Sequence, residues 1–385
     1  ENMNKSCLIG FLMCSAFSLV VQAATDGAHI TKTISQIERK KGIKRTIQYR
    51  PDGNDFVCVN GKNRYTRALY GGITDFRIET SDRPVFAAYK PKDSKHICFR
   101  LQCGNQSIAL DSLKFCEARY RAGRRTYRLT DPLLGKGELN ISVLAFPDAE
   151  GGIWRFTMKD MPEGALLHCY ISEIRAKNLS RNGDMGADRA DSFDAPQLPK
   201  EQKHYKLSLD GTTAYIVVED QELRLPALVE GTSLYDKSEK WRSEIESSLQ
   251  ISTPDPYFNP LGGALAAAAD GIWDGKIWLH GAIGWRSQLN GWRAAYIGDF
   301  IGWHDRARTH FDSYAASQVT DVPATIPHPT QDTALHLARS VKKWGTPHYS
   351  NGYICRTPYR KDQMHHYDMN LCYIDELLWH FNWTG

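Results

Sequence analysis

The feature that most constrains this chain is a change in the spacing of its apolar residues near Gly231. Before that point, apolar and polar residues alternate in short runs from about Thr31 to Glu230, and Ile97, Phe99 and Leu101 lie in one such run. Alternation with a period of two, punctuated by turn residues, predicts the short strands of an antiparallel β-sandwich. Beyond it, apolar residues recur at steps of three and four, which predicts helices. We therefore expect a mixed β then α fold.

Four stretches beyond Gly231 have helical spacing. They are Ser238–Gln250, Gly263–Asp270, Ala294–Gln318 and Tyr367–Phe381. The last stretch places Leu371, Ile374 and Leu378 on one apolar stripe. Because amphipathic helices cannot bury such stripes alone, we expect the chain to be the front part of a longer protein. We divide it into a signal peptide (1–23), a β-sandwich domain (24–235), linker helices (236–270) and the first part of a helical domain (271–385).

The first 23 residues have the pattern of a secretory signal peptide. Lys5 supplies a basic start, and the run from Cys7 to Val21 is apolar apart from Ser and Gly. Small residues at the end of this run predict cleavage after Ala23 and a periplasmic or secreted protein without stable membrane insertion. A transmembrane anchor would need about 20 apolar residues, and this run is shorter. Lipid attachment at Cys14 is a further alternative, although large apolar residues precede that position.

Charge and cysteine content exclude several classes of protein. The net charge is only +4, and the basic residues form no dominant stripe, so nucleic acid is not an expected partner. Seven of the 9 Cys remain once Cys7 and Cys14 leave with the signal peptide, and they form no CxxC pair. Phosphate-loop, Rossmann, HExxH and GxSxG motifs are also missing, so we expect neither a metal nor a cofactor. Whether Cys98 and Cys103 form a disulfide stays open.

A polar stretch from Arg175 to Lys203 interrupts the strand pattern. Its composition predicts a long surface loop. A calcium-binding loop is the alternative, because the stretch is rich in Asp, but the spacing does not match the EF-hand pattern.

The aromatic residues suggest a carbohydrate partner. The chain contains 10 Trp, 18 Tyr and 14 Phe, many of them in the last third beside Asp, Asn and Arg. Sugars present apolar ring faces and rims of hydroxyls, and we expect an oligosaccharide or polysaccharide substrate. The substrate-binding candidates are Trp285, Trp292, Arg293, Asp299, Trp303 and His366. The alternative is that the stretch around Trp292 is a helix start with a buried Trp and a local Arg–Asp pair.

The order of a sandwich, a linker helix and a Gly-Trp-Arg string resembles the six-hairpin, or (α/α)6, glycoside hydrolases. The chain is similar to secreted enzymes of gut Bacteroidota that remove α-L-fucose, α-L-rhamnose or β-L-arabinofuranose from plant and host glycans. Asp55–Arg64 and Arg67–Gly71 resemble a recurring opening of one group of such proteins. The resemblance implies an exo-acting hydrolase whose residues 271–385 begin an incomplete (α/α)6 barrel. It also implies that this chain alone is nearly inactive, since such a site takes residues from later hairpins.

The catalytic candidates lie in the last predicted helix. The run from His366 to Tyr373 is similar to an Asn-x-Asn-x-x-x-x-Tyr pattern of the α-L-fucosidase branch, in which paired amides hold water. This chain has Asp368 at the first position and Asn370 at the second. The Asp departs from the pattern, and this departure allows Asp368 to act directly as a base. Asp375 and Glu376 cannot both face one sugar from one helix, and we name Glu376. Alternatively, Asp368 caps the helix and the Asp375–Glu376 pair is a solvated face.

Two other functions fit the same residues. A polysaccharide lyase on a helical toroid would use Tyr and His as base and acid on a uronic acid, with Arg or Asn neutralising the carboxylate. Its residues would come from His365, Tyr367, Asn370 and Arg356. A non-catalytic glycan-binding protein would only capture the sugar. Elimination raises absorbance by forming an unsaturated uronide, whereas hydrolysis releases a reducing sugar without it, so one assay separates the two enzymes.

Overall fold

The computed structural model shows two antiparallel sheets followed by helices, as the change in spacing predicts. It describes residues 48–90, 93–174, 203–281, 286–291, 295–320, 331–332, 337–338, 352–359 and 367–385. The predicted signal peptide and residues 175–202 of the polar stretch lie outside these ranges.

The described part of the sandwich contains two sheets. In chain order its strands are β1 (Arg50–Asp52), β2 (Asp55–Val59), β3 (Tyr65–Tyr70), β4 (Arg77–Ser81), β5 (Phe86–Tyr89), β6 (Ser94–Cys103), β7 (Gln106–Ala109), β8 (Phe115–Arg121), β9 (Arg124–Thr130), β10 (Glu138–Ala145), β11 (Gly151–Lys159), β12 (Leu166–Ile174), β13 (Lys203–Ser208), β14 (Thr213–Glu219) and β15 (Glu222–Arg224). The first sheet has the order β1-β2-β8-β9-β10-β11-β14-β15. The second has the order β13-β12-β6-β5-β4-β3, with β7 paired to β6. Two-residue strands β16 (Gln331–Asp332) and β17 (Leu337–Ala338) pair with each other further along.

The two sheets bury the alternating apolar residues between them. In β10, Leu139, Ile141 and Val143 are at most 1% exposed, which confirms the predicted alternation. Trp154 of β11 lies opposite Val143, and its ring meets Phe86 of the second sheet edge to face at 5.6 Å. Side chains from the two sheets therefore interdigitate in one core.

The cysteines of the sandwich are thiols. Cys58, Cys116 and Cys169 are buried and free, and they occupy the core as small apolar residues. Cys98 and Cys103, for which the sequence left a disulfide open, are also free.

The helices follow the sandwich. They are α1 (Leu228–Ser247), α2 (Leu261–Gly271), α3 (Ala295–Phe300), α4 (His304–Ala315) and α5 (Tyr367–Thr384). The first of them begins at Leu228, ten residues before the predicted Ser238. Gly231, near which the apolar spacing changes, lies inside α1, where a Cβ would come within 2.4 Å of the Tyr215 ring. Close packing against the sheet, not a break in the chain, explains this glycine.

The expectation of one continuous helix over Ala294–Gln318 was wrong. The structure divides that stretch into α3 and α4 at Gly302, whose φ of +79° is in the left-handed region. The apolar stripe continues across the break, so periodicity alone did not reveal it. No helix within the described ranges has both the length and the apolar character needed to cross a membrane.

Candidate active site

Helix α5 presents a polar face to the other helices. Tyr373, Glu376 and His380 follow one another at steps of three and four, so they lie on one side of the helix. All three are buried, whereas Leu371 and Ile374 are 71% and 61% exposed. The buried side of α5 is therefore the more polar one, which is unusual for a helix that packs on a protein core.

Glu376 is a carboxyl group buried without a hydrogen bond. It is 1% exposed, and neither side-chain oxygen has a hydrogen-bond partner in the part of the chain that the structure describes. Burial raises its pKa to about 8, and the negative charge of Asp375 adds to this effect. Glu376 is therefore largely protonated at neutral pH, which is the state that a general acid needs before it donates a proton.

Asp375 lies on the exposed side of the same helix. Its carboxylate accepts a hydrogen bond from the hydroxyl of Tyr296 in α3. That hydrogen bond raises the pKa of Tyr296, so the phenol remains a donor. Within the neighbouring pair, Glu376 faces the helical core and Asp375 faces solvent.

Two further buried polar groups, His310 and Asn290, lie in the part of the chain that follows the sandwich. His310 is fully buried and accepts the backbone N–H of Trp278 at Nδ1, at 3.1 Å, so its proton is on Nε2. Burial lowers the pKa of His310 to about 3, which keeps the ring neutral. Among the described residues, neither His310 Nε2 nor Asn290 Oδ1 has a hydrogen-bond partner. Such groups cost about 1–3 kcal/mol each when unsatisfied, and they are common where a protein binds ligands or water.

Asp299 connects α3 to both neighbouring helices. It is 5% exposed, and its carboxylate accepts hydrogen bonds from Nδ1 of His304 at 2.8 Å and Nδ1 of His380 at 2.9 Å. Because each imidazole donates from Nδ1, its neutral form offers Nε2 as a proton acceptor. His380 follows Glu376 by one helical turn, about 6 Å along the axis. Helix α5 thus presents the protonated carboxyl of Glu376 and the oriented imidazole of His380 on one face.

The other two catalytic candidates lie near the start of α5. Asp368 is exposed in the first turn of the helix, where a carboxylate stabilises the positive end of the dipole. The amide of Asn370 accepts the backbone N–H of Ile354 at 2.7 Å and donates to its carbonyl at 3.0 Å. Asp368 and Glu376 are about 12 Å apart along the axis, more than the roughly 6.5–9.5 Å between the carboxyls of an inverting glycosidase. Glu376 and His380 share one face of α5, and His380 is hydrogen-bonded to Asp299. Asp368 lies about two turns away from Glu376 on the same helix.

The substrate-binding candidates have different positions. Trp303 precedes α4, and the guanidinium of Arg306 lies 4.3 Å from the centre of its ring. Asp299 belongs to the network with the two histidines, so hydroxyl binding is not its only possible use. Trp285, Trp292, Arg293 and His366 lie outside the described residues.

Sequence reasoning missed His380, His310 and Asn290. The spacing of Glu376 and His380, four apart on one helix, was a usable signal, because such residues share a face. Nothing in the sequence marked His310 or Asn290, since their importance comes from burial and from hydrogen bonds to distant backbone groups.

Comparisons with known proteins give the following similarities. A family model described as a domain of unknown function (DUF4450) matches residues 91–218, a range that includes β6 and most of β14. Among solved structures, the chain is similar to a bacterial glucoamylase complexed with acarbose, with a TM-score of 0.36 and 11% identity. The match covers 69% of this chain and 55% of that one, so this chain spans about half the length of the glucoamylase structure. No curated protein matches the chain.

Proposed function

We propose that this protein is an exo-acting glycoside hydrolase of plant or host glycans, with Glu376 as its general acid. The observation that carries the proposal is the burial of Glu376, which keeps its carboxyl protonated at neutral pH. Both inverting and retaining glycosidases need one such carboxyl to protonate the oxygen of the leaving group. The abundance of Trp and Tyr beside polar residues supports a sugar as the substrate.

The proposed reaction uses both groups on the buried face of α5. Glu376 donates its proton to the glycosidic oxygen as the bond to the anomeric carbon breaks. His380, which Asp299 orients through Nδ1, accepts a proton at Nε2 from the attacking water. Asp368, the base expected from the sequence, lies about 12 Å along α5 from Glu376, so His380 is the preferred base, and separate variants test the two.

A polysaccharide lyase is the second candidate, because an oriented imidazole can also act as the base of a β-elimination. In β-elimination, His380 would remove the proton next to the uronic carboxylate, and Glu376 would protonate the departing oxygen. The same two residues therefore serve either reaction, and only the product tells them apart.

The test assays the natural protein on a panel of neutral and uronic polysaccharides, following reducing sugar and ultraviolet absorbance together. We expect reducing sugar without a rise in absorbance, and loss of turnover by about 10²–10⁴-fold in Glu376→Gln. Glu244→Gln, which removes an exposed carboxylate from α1, is the matched control and keeps wild-type turnover. His380→Gln and Asp368→Asn show which residue is the base.

Two results contradict the hydrolase, and a third contradicts the role of Glu376. Growth of absorbance with each bond cleaved supports the lyase. Sugar binding without turnover supports a non-catalytic glycan-binding protein. Wild-type turnover by Glu376→Gln, with unchanged thermal stability, removes Glu376 from the mechanism.

We also propose export to the periplasm or the cell exterior. The basic start and the apolar run before Ala23 support it. N-terminal sequencing of the exported protein checks it, since the proposal requires the mature chain to begin at Ala24.

A further inference from the structure

Arg67 is a largely buried cation without an ion-pair partner among the described residues. It lies on β3 beside an irregularity in the pairing with β4, where the register shifts between Tyr65 and Arg67. Such a bulge changes the direction in which a side chain points. Its Nη1 donates to the backbone carbonyl of Thr66 at 2.7 Å. Burial lowers the pKa of Arg67, but an arginine stays charged, so this site holds a positive charge.

Aromatic rings surround this guanidinium. Its central carbon lies 5.1 Å from the ring centre of Tyr120, 5.2 Å from that of Tyr49 and 5.9 Å from that of Phe56. Rings at these distances stabilise a cation through their π faces, but they do not neutralise it. The arrangement keeps the charge available for an anion.

A cavity of about 330 Å³ opens beside Arg67, between the sandwich and helices α1 and α2. Its remaining walls are mainly aromatic and aliphatic and include Tyr70, Trp241 and alanines of α2. Two other charged residues line it, and both have partners. Arg242 pairs with Glu239 and Glu246, and Asp270 pairs with Arg306.

A second buried cation strengthens the positive potential. Arg125 is 0% exposed and donates to the hydroxyl of Tyr49 at 2.6 Å and to the carbonyl of Ser81 at 3.0 Å. Its Nη1 has no hydrogen-bond partner in the described ranges. The charges of Arg125 and Arg67 repel each other. An anion beside Arg67 would relieve this repulsion.

We propose that this cavity binds a carboxylate carried on a ring with an apolar face. The carboxylate would pair with Arg67, and the ring would lie among the aromatic and alanine side chains. The volume is near the lower end of ligand pockets, which suits a single ring. Uronic sugars and aromatic acids both have this chemistry. The site lies between the sandwich and α1–α2 and does not include Glu376, so it is independent of the proposed catalytic function.

Titration of the natural protein with D-glucuronate, benzoate and D-glucose, followed by NMR or calorimetry, tests the site. We expect at least one of the two carboxylates to bind and glucose to bind at least tenfold more weakly. The stronger carboxylate identifies the source. Arg67→Gln weakens carboxylate binding by at least tenfold. Arg100→Gln, which removes a surface guanidinium on β6 away from the cavity, leaves it unchanged.

A second variant guards against a folding defect in Arg67→Gln. Ala268 is exposed on α2 and lines the cavity, so Ala268→Phe fills the space while it keeps Arg67. We expect this variant to keep wild-type thermal stability and to lose carboxylate binding. Equal binding of glucose and glucuronate, no binding of either carboxylate, or undiminished binding in Ala268→Phe would overturn the proposal.

Discussion

At the scale of single residues, Glu376 is the least expected feature of the molecule. Carboxylates are almost never fully buried unless they are paired, yet this residue is 1% exposed and has no hydrogen-bond partner among the described residues. Its raised pKa resolves the difficulty, because the protonated form avoids the cost of burying a charge. Burial also keeps His310 neutral, but it does so by lowering the pKa of that base.

The first prediction is that Glu376 makes stability fall as pH rises. In the unfolded chain its pKa is near 4.5, and in the folded chain it is about 8, so between these values the folded state holds the extra proton. Its stabilising contribution is complete below pH 4.5 and is lost as pH rises through 8, with a slope of up to about 1.4 kcal/mol per pH unit. Urea denaturation at several pH values measures the free energy of unfolding.

Glu376→Gln removes the titrating group while it keeps the shape of the side chain. The free energy of unfolding should therefore fall less with rising pH in this variant than in the wild type. Glu244→Gln should show the same pH dependence as the wild type. A wild type and Glu376→Gln with parallel curves would show that the carboxyl is not buried in solution.

At the scale of elements, the short helices α3 and α4 are what bring Asp299 to the histidines. The break at Gly302 changes the direction of the chain between Asp299 and His304. Nδ1 of His304 can then donate a hydrogen bond of 2.8 Å to the carboxylate of Asp299. A continuous helix would leave residues five apart on different faces. The break is therefore part of the candidate site.

The second prediction is that Gly302→Ala destabilises the protein by about 1 kcal/mol. A Cβ at this position would meet nothing within 4 Å, so the cost comes only from the positive φ of +79°. Gly211→Ala is the matched control, because that site is equally open and its φ is outside the left-handed region. We expect the control to be neutral or slightly stabilising in urea denaturation. Equal effects of the two substitutions would contradict the strain at Gly302.

At the scale of the whole molecule, α1 joins the sandwich to the helices. Tyr235 is 2% exposed, hydrogen-bonds Ser142 of β10 at 2.7 Å and carries the guanidinium of Arg155 over its ring at 3.8 Å. Ion pairs at the edge of this contact link Arg121 to Glu246 at 2.7 Å. The outer face of the first sheet is thus covered by a helix where its side chains are apolar.

The third prediction is that Tyr235 carries much of this contact. Tyr235→Phe removes only the hydrogen bond and should cost about 0.5–1.5 kcal/mol. Tyr235→Ala also removes the buried ring and should cost about 3–5 kcal/mol. Tyr257→Ala, at a half-buried position in the segment after α1, should cost clearly less. Urea denaturation ranks the variants, and a cost below about 1 kcal/mol for Tyr235→Ala would show that α1 does not depend on this anchor.

The local pattern of the sequence determined the class of each element. Leu139, Ile141 and Val143 are buried as their alternation predicts, because the side chains of a strand point to opposite faces. The final helix also follows from its spacing, and so does the inference that at most one of Asp375 and Glu376 faces a sugar, because neighbours on a helix diverge. Alternation and helical spacing are properties of residues close together in the chain, so they can be read from the sequence alone.

Only the tertiary structure decided which groups meet and which are cut off from water. The sequence made Asn370 a candidate for holding water, but it did not indicate that the Asn370 amide binds both backbone groups of Ile354. The aromatic setting of Arg67 brings together side chains from β2, β3 and β8. Burial and long-range hydrogen bonds depend on how sheets and helices pack. Because this packing brings together residues that are far apart in the chain, no local spacing of residues encodes it.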